Sequence, residues 1–184
     1  LTDAFLVAFR IPNFFRRLFA EGAFSQAFLP ILAETKANES DIEVQLVINH
    51  IATKLLSVLM IITLVAVVAA PLVIFIFAWG FYFKADSTQF HLASDMLRIT
   101  FPYLLLISLT ALSGSILNTY DNFTVPAFTP VLLNISLIFS AIFLSQFLNN
   151  PIMALAWGVL IGGILQLAFQ IPFLRKIKKL PKLQ

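Results

Sequence analysis

Cysteine is absent from the 184 residues, which excludes a disulfide framework and a thiolate metal site. The two histidines, His50 and His91, stand far apart, and no cluster with metal-ligand spacing surrounds either. Charge is scarce too. Charged residues make up 11% of the chain, hydrophobic ones 60%, and the mean hydropathy is +0.94. Soluble domains carry about 25% charged and about 45–50% apolar residues. So few polar side chains cannot cover a water-exposed surface, and the expected class is an all-α integral membrane protein. Also missing are a pair of site carboxylates, a Ser-His-Asp set and a phosphate-binding glycine loop. These absences point away from an enzyme, and no cofactor, metal or nucleic-acid partner is expected. No segment resembles a signal peptide; the chain opens at Leu1 directly in a helical pattern, as expected of a chain lacking an upstream helix.

Uncharged runs are plentiful instead. A membrane helix needs about 20 apolar residues. No charge falls between Lys54 and Lys84, between Ile99 and Tyr120, or from Asn122 to Leu174. The last run is too long for one helix, and "QFLNNP" at Gln146–Pro151 is its natural turn. With the opening helix, five spans are expected, at about 2–32, 50–80, 96–119, 126–148 and 151–173. The last ten positions hold five of the twelve basic residues, Arg175, Lys176, Lys178, Lys179 and Lys182. A basic loop at 175–184 is expected in the cytoplasm. Counting back, the Asp121 loop and the acidic Glu34–Glu43 loop share that side, and Leu1 starts outside. Gly158, Gly162 and Gly163, one turn after Ala154, form a small-residue stripe suited to close helix packing.

The first helix breaks the rule of uncharged spans. "VAFRIPNFFRRLFAEGAFSQAF", Val7 to Phe28, carries Arg10, Arg16, Arg17 and Glu21 among Phe, Leu and Ala. Arg10, Asn13, Arg17 and Glu21 share one face at helical period, with Asp3 close to it and Arg16 at its border. An arginine at the bilayer centre costs from about 2.5 kcal/mol upward. The side chains could snorkel to headgroups, the segment could lie flat at the interface, or Arg17 could merely pair with Glu21. The fourth reading is a water-filled cavity, and there the ligand would be an anion, since the planar guanidinium fork matches phosphate.

The stretch "TDAFLVAFRIPNFFRRLFAEGAFSQAFLPILAE", Thr2 to Glu34, closely resembles the signature helix of the MurJ/MviN family, flippases of the lipid-linked peptidoglycan precursor lipid II. "LRITFPYLLLISL", "ILNTYDNFTVPAFTPVLLNIS" and "ALAWGVLIGGILQLAFQIPFL" extend the resemblance along nearly the whole chain. It implies membership of the MOP transporter superfamily, with two six-helix lobes around a central cavity. The chain then resembles the second to sixth helices of the N-terminal lobe, residues 1–174, without the first helix and the C-terminal lobe. The resemblance implies that Arg16 contacts the substrate pyrophosphate, with Arg17 as its pair and Arg10 at a position often lysine. It implies gating or ion-pair roles for Asp3, Glu21 and Gly22. The expected function is lipid II flipping in the bacterial inner membrane by alternating access, with lipid II and the bilayer as partners. Another MOP-type transporter, or a non-transporting membrane scaffold, is the alternative.

Overall fold

The computed structural model describes residues 2–17, 24–77 and 87–182. Among these, the chain is helical and without strands. Helices α1 (Thr2–Arg16) and α2 (Phe24–Asn38) come first, then α3 (Asp41–Val68) and the short α4 (Ala70–Phe77). The remainder is α5 (Ser87–Thr100), α6 (Pro102–Thr119), α7 (Thr124–Phe143) and α8 (Met153–Lys176).

Among the described residues, four stretches are long and apolar enough to cross a membrane: Asp41–Val68, Thr88–Thr119, Thr124–Phe147 and Met153–Lys176. The expected first span, at 2–32, falls on α1 and α2, each 15 residues long, with 18–23 outside the described residues. The apolar residues of α3 and α7 that lie outward, among them Ile61, Leu64, Val65, Ile138 and Phe139, are exposed. An outward apolar surface of this kind is suited to acyl chains. The two larger buried clusters among the described residues hold the bundle. Ala4, Ala8, Leu59, Met96 and Leu104 belong to one, and Phe28, Leu32, Ile48, Leu117 and Leu174 to the other.

Several helix ends differ from the sequence expectation, each for a local reason. The acidic Glu34–Glu43 segment is not a loop. Helix α2 runs to Asn38 and α3 starts at Asp41, leaving only Glu39 and Ser40 between them. Ser40 starts α3 with a capping box: its Oγ accepts from Glu43 N–H at 3.4 Å, and its own N–H donates to Glu43 Oε2 at 3.0 Å. Helix α5 starts at Ser87, well before the expected 96, because Leu92, Ala93, Met96 and Leu97 give it a buried face. The opposite side of α5 is polar, which disguises it as loop.

In the basic tail, residues 175–182 are also not a free loop. Helix α8 continues to Lys176 and ends with Lys178 in the left-handed region at φ 58°. Lys178 N–H donates to Arg175 O and Lys179 N–H to Leu174 O, both at 3.0 Å, a Schellman closure. This turn sends Lys179 back into the bundle, where it is 2% exposed. Its Nζ donates to the Asp41 carboxylate and, at 3.1 Å, to the Asp41 carbonyl. Gln45 Nε2 donates to Leu180 O at 3.0 Å, and Lys182 N–H donates to Asn49 Oδ1 at 2.8 Å. Lys36 donates to Thr119 O at 2.7 Å and stands 4.3 Å above the Tyr120 ring. These contacts gather the α2–α3 connection, the turn after α6 and the tail at one end of the bundle. Charge counting assigns the same three segments to one side of the membrane.

Since a side chain in the left-handed region costs about 1–2 kcal/mol and glycine does not bear that cost, Lys178→Gly is expected to stabilise the fold. The net gain, after the greater freedom of unfolded glycine, is about 0.5–1 kcal/mol. A rise in melting temperature of the purified protein checks it; a fall would mean that the Lys178 side chain contributes more than its backbone costs.

Candidate functional site

Pro12 decides how α1 sits. A proline inside a helix lacks the N–H that would bond the carbonyl four residues back. Here that carbonyl belongs to Ala8, and the Thr100 hydroxyl of α5 donates to it at 3.1 Å. Thr100 is fully buried, so this bond is the local remedy for the proline. It ties α1 to α5 and turns Ala4, Ala8 and Ile11 inward. Thr100→Val keeps the shape and removes the donor, leaving the Ala8 carbonyl without its partner. A loss of about 1–3 kcal/mol is expected, measured as a lower midpoint of thermal unfolding in detergent.

With that face buried, the next face of α1 borders an open cavity of about 660 Å³. Phe9, Asn13 and Arg16 line it from α1, Tyr103 and Ser115 from α6, Thr129 and Asn134 from α7, and Gln166 and Gln170 from α8. The volume lies within the range of about 300–1,000 Å³ common for ligand pockets. Arg16 Nε–H donates to Asn13 Oδ1 at 2.8 Å, which orients the half-buried guanidinium. Among the described lining residues, Arg16 alone carries a formal charge. The rest of the described wall is amide, hydroxyl, aliphatic and aromatic groups. The arrangement can hold an anion at one pole and hydrogen-bonding groups around it; among the described residues no group of three or more His, Cys, Asp or Glu could hold a metal.

The expected site residues are distributed unevenly. Arg16 and Asn13 meet at the cavity wall. Arg10 and Arg17 are exposed and do not line it, and Asp3 is exposed as well. At 100° per residue, Phe9, Asn13 and Arg16 fall within one narrow strip, and Arg10 and Arg17 lie about a quarter turn away. The cavity strip therefore crosses the charged stripe at Asn13 and leaves it toward Arg16. Glu21 and Gly22 lie outside the described residues.

Sequence reading missed the polar wall opposite. Thr110 and Ser115 look like small packing residues and Asn134 like a chance sequon, yet all three line the cavity. A usable signal exists in α8, where the neutral amides of Gln166 and Gln170 stand at i and i+4 in an uncharged, mostly apolar span. The glycine stripe, in contrast, packs as expected. A Cβ at Gly158 would stand 3.0 Å from Ser140 Cβ and 3.3 Å from Leu137 Cα, and one at Gly163 would stand 2.7 Å from the Tyr103 ring.

The family profile described as "Lipid II flippase MurJ" matches residues 1–184, the whole chain. The chain belongs to the MurJ family. It is 47% identical over 180 residues to the lipid II flippase MurJ of Burkholderia cenocepacia, covering 98% of this chain and 34% of that protein. To the probable lipid II flippase MurJ of Haemophilus influenzae it is 45% identical over 185 residues, covering 98% of this chain and 36% of that protein. A solved structure of lipid II flippase MurJ in an inward closed conformation superimposes with a TM-score of 0.78 at 28% identity, covering all of this chain and 36% of that one. The chain thus spans about a third of the length of the relatives it matches.

Proposed function

We propose that this chain forms one wall of a lipid II flippase in the bacterial cytoplasmic membrane, with Arg16 as the group that receives the diphosphate of the lipid. The observation that carries the reading is the Arg16 guanidinium, braced by Asn13 at 2.8 Å, as the one formally charged group among the described lining residues of the cavity. Lipid II has a polyprenyl tail, a diphosphate and a sugar-peptide head. The tail can remain in hydrocarbon while the head passes through a hydrated vestibule. A guanidinium supplies counter-charge and fork geometry for phosphate oxygens, and each charge-assisted bond contributes about 1.5–3 kcal/mol. A single arginine from this wall keeps binding weak enough for release. The second lobe supplies the opposite wall, and rocking of the two lobes exposes the site to each side in turn.

Arg10, Arg17 and Asp3 receive a different role in this reading. Their strip adjoins the cavity, so they pair with or gate against the part of the protein that closes it. Supporting this, the strip is exposed here and charged, which suits neither lipid nor a dry interface.

Depletion of the full-length protein in its host is the direct test. Lipid II head groups are expected to vanish from the outer leaflet, read by labelling intact cells with a membrane-impermeant amine reagent, while total lipid II rises. Unchanged outer-leaflet labelling after depletion would remove the flippase reading.

A further inference from the structure

Five carboxamides stand among the described residues of the cavity wall: Asn13, Asn118, Asn134, Gln166 and Gln170. Three are engaged within the protein. Asn13 accepts from Arg16 at 2.8 Å. Gln166 and Gln170 are buried, and both hydrogen-bond Thr129 of α7, at 3.1 and 3.0 Å. Asn118 and Asn134 make no side-chain hydrogen bond among the described residues. Asn118 is half-buried near the end of α6, whereas Asn134 is exposed, near the middle of α7. Helix α7 belongs to a stretch apolar enough to cross a membrane. At 100° per residue, Pro126, Pro130, Leu133 and Asn134 follow one strip along it, and all four line the cavity. Asn134 is the edge of that strip, next to the exposed Val131 and Ile138. An amide without a partner is unfavourable against hydrocarbon, so this one belongs beside water or a ligand.

Among the described residues α1 and α7 do not pack on each other, so the cavity separates Arg16 from Asn134. An anion held at the α1 wall leaves the α7 wall to whatever is attached to it. The chemistry of the amide agrees. A carboxamide carries two donors and an acceptor on one planar group, and a phosphate oxygen can use only the donors. A sugar hydroxyl or an N-acyl amide donates and accepts at once and uses both. Since no described bond fixes the Asn134 amide, it can present either end. From these observations we infer that Asn134 is a specificity residue, exchanging hydrogen bonds with the neutral, hydroxyl- or amide-bearing part of the head group next to the diphosphate. The inference rests on the flippase reading and adds to it. Arg16 recognises the charge, and Asn134 recognises the group that the charge carries.

The test measures binding of two probes, lipid II and undecaprenyl diphosphate, to the purified full-length protein. The second probe has the anion and the tail but no sugar. Asn134→Leu keeps the approximate size and removes every donor and acceptor. Its affinity for lipid II is expected to fall about fivefold, the effect of losing a neutral hydrogen bond, with undecaprenyl diphosphate changed by less than about twofold. In Arg16→Ala both probes are expected to weaken. Asn134→Ala, which adds no bulk, is expected to give the same split between the probes as Asn134→Leu. Equal weakening of both probes in the Asn134 variants, or of neither, overturns the inference and leaves the flippase reading standing. Failure of the unaltered protein to bind either probe overturns both. The melting temperature and the retained binding of the sugar-free lipid report that the variants are folded.

Discussion

Arg16→Ala in the full-length protein is expected to stop lipid II transport while membrane insertion and abundance stay near normal. The side chain is half-buried at a cavity wall, where it donates to Asn13, and it belongs to none of the hydrophobic clusters, so its removal opens space at the cavity and leaves those clusters intact. What is lost is counter-charge. In the proposed role, each bond from Arg16 to a diphosphate oxygen would be worth about ten- to hundredfold in rate. Loss of both arms of a bidentate contact would reduce transport below detection in most assays. Arg16→Lys separates two contributions. It keeps the charge and gives up the planar fork and the Nε–H bond to Asn13, and an intermediate rate is expected. Transport by Arg16→Ala at the unaltered rate, measured as appearance of lipid II in the outer leaflet, would exclude the role given to this residue.

Gly158→Leu is expected to have the largest effect on the fold. Gly158 sits where α8 crosses α7, and Ser136 Oγ donates to its carbonyl at 2.7 Å. Even a single Cβ would meet Ser140 Cβ and Oγ at 3.0 Å and the Leu137 backbone at 3.3 Å. None of these atoms is the loose end of a long side chain, so a leucine must push the helices apart. Overpacking of this kind costs about 1–3 kcal/mol, and loss of the Ser136 bond adds about 1 kcal/mol. Reduced abundance and a lower melting temperature are expected, with transport falling as a consequence. Gly162→Ala is a milder comparison, because its nearest obstacle at 2.7 Å is the mobile end of Leu133. Equal melting temperatures for Gly158→Leu and the parent would show that the α7–α8 contact is softer than its spacing indicates.

Membrane class and helical architecture were legible because they depend on composition and on the absence of charge over long runs, both one-dimensional quantities. Helix ends were less legible. The Ser40–Glu43 capping box was present in the sequence but hidden in an acidic stretch that resembles a solvated loop. Lys179 was read as part of a basic tail because burial of a lysine depends on a turn at Lys178 and on Asp41, far away in sequence. The site was half legible. Charges in an apolar helix announce themselves, and the stripe through Asn13 lay next to the cavity strip. Which side of that stripe faces the cavity depends on how α1 is rotated. Pro12 and its bond partner Thr100 set that rotation, and they are joined only in three dimensions. The amides of α8 escape notice for the same reason: glutamine in a membrane span is unremarkable until Thr129 on α7 is seen to hydrogen-bond both Gln166 and Gln170.

The exposed strip of Asp3, Arg10 and Arg17 also bears on biogenesis. A helix with such a border partitions poorly into hydrocarbon as it leaves the insertion machinery, since one arginine at mid-membrane already costs about 2.5–3.5 kcal/mol on insertion scales. Expressed alone, residues 1–184 are therefore expected to stall during integration and to be cleared by membrane proteases. Supplying the segments of its relatives that residues 1–184 do not span, even as a separate chain, should rescue their accumulation.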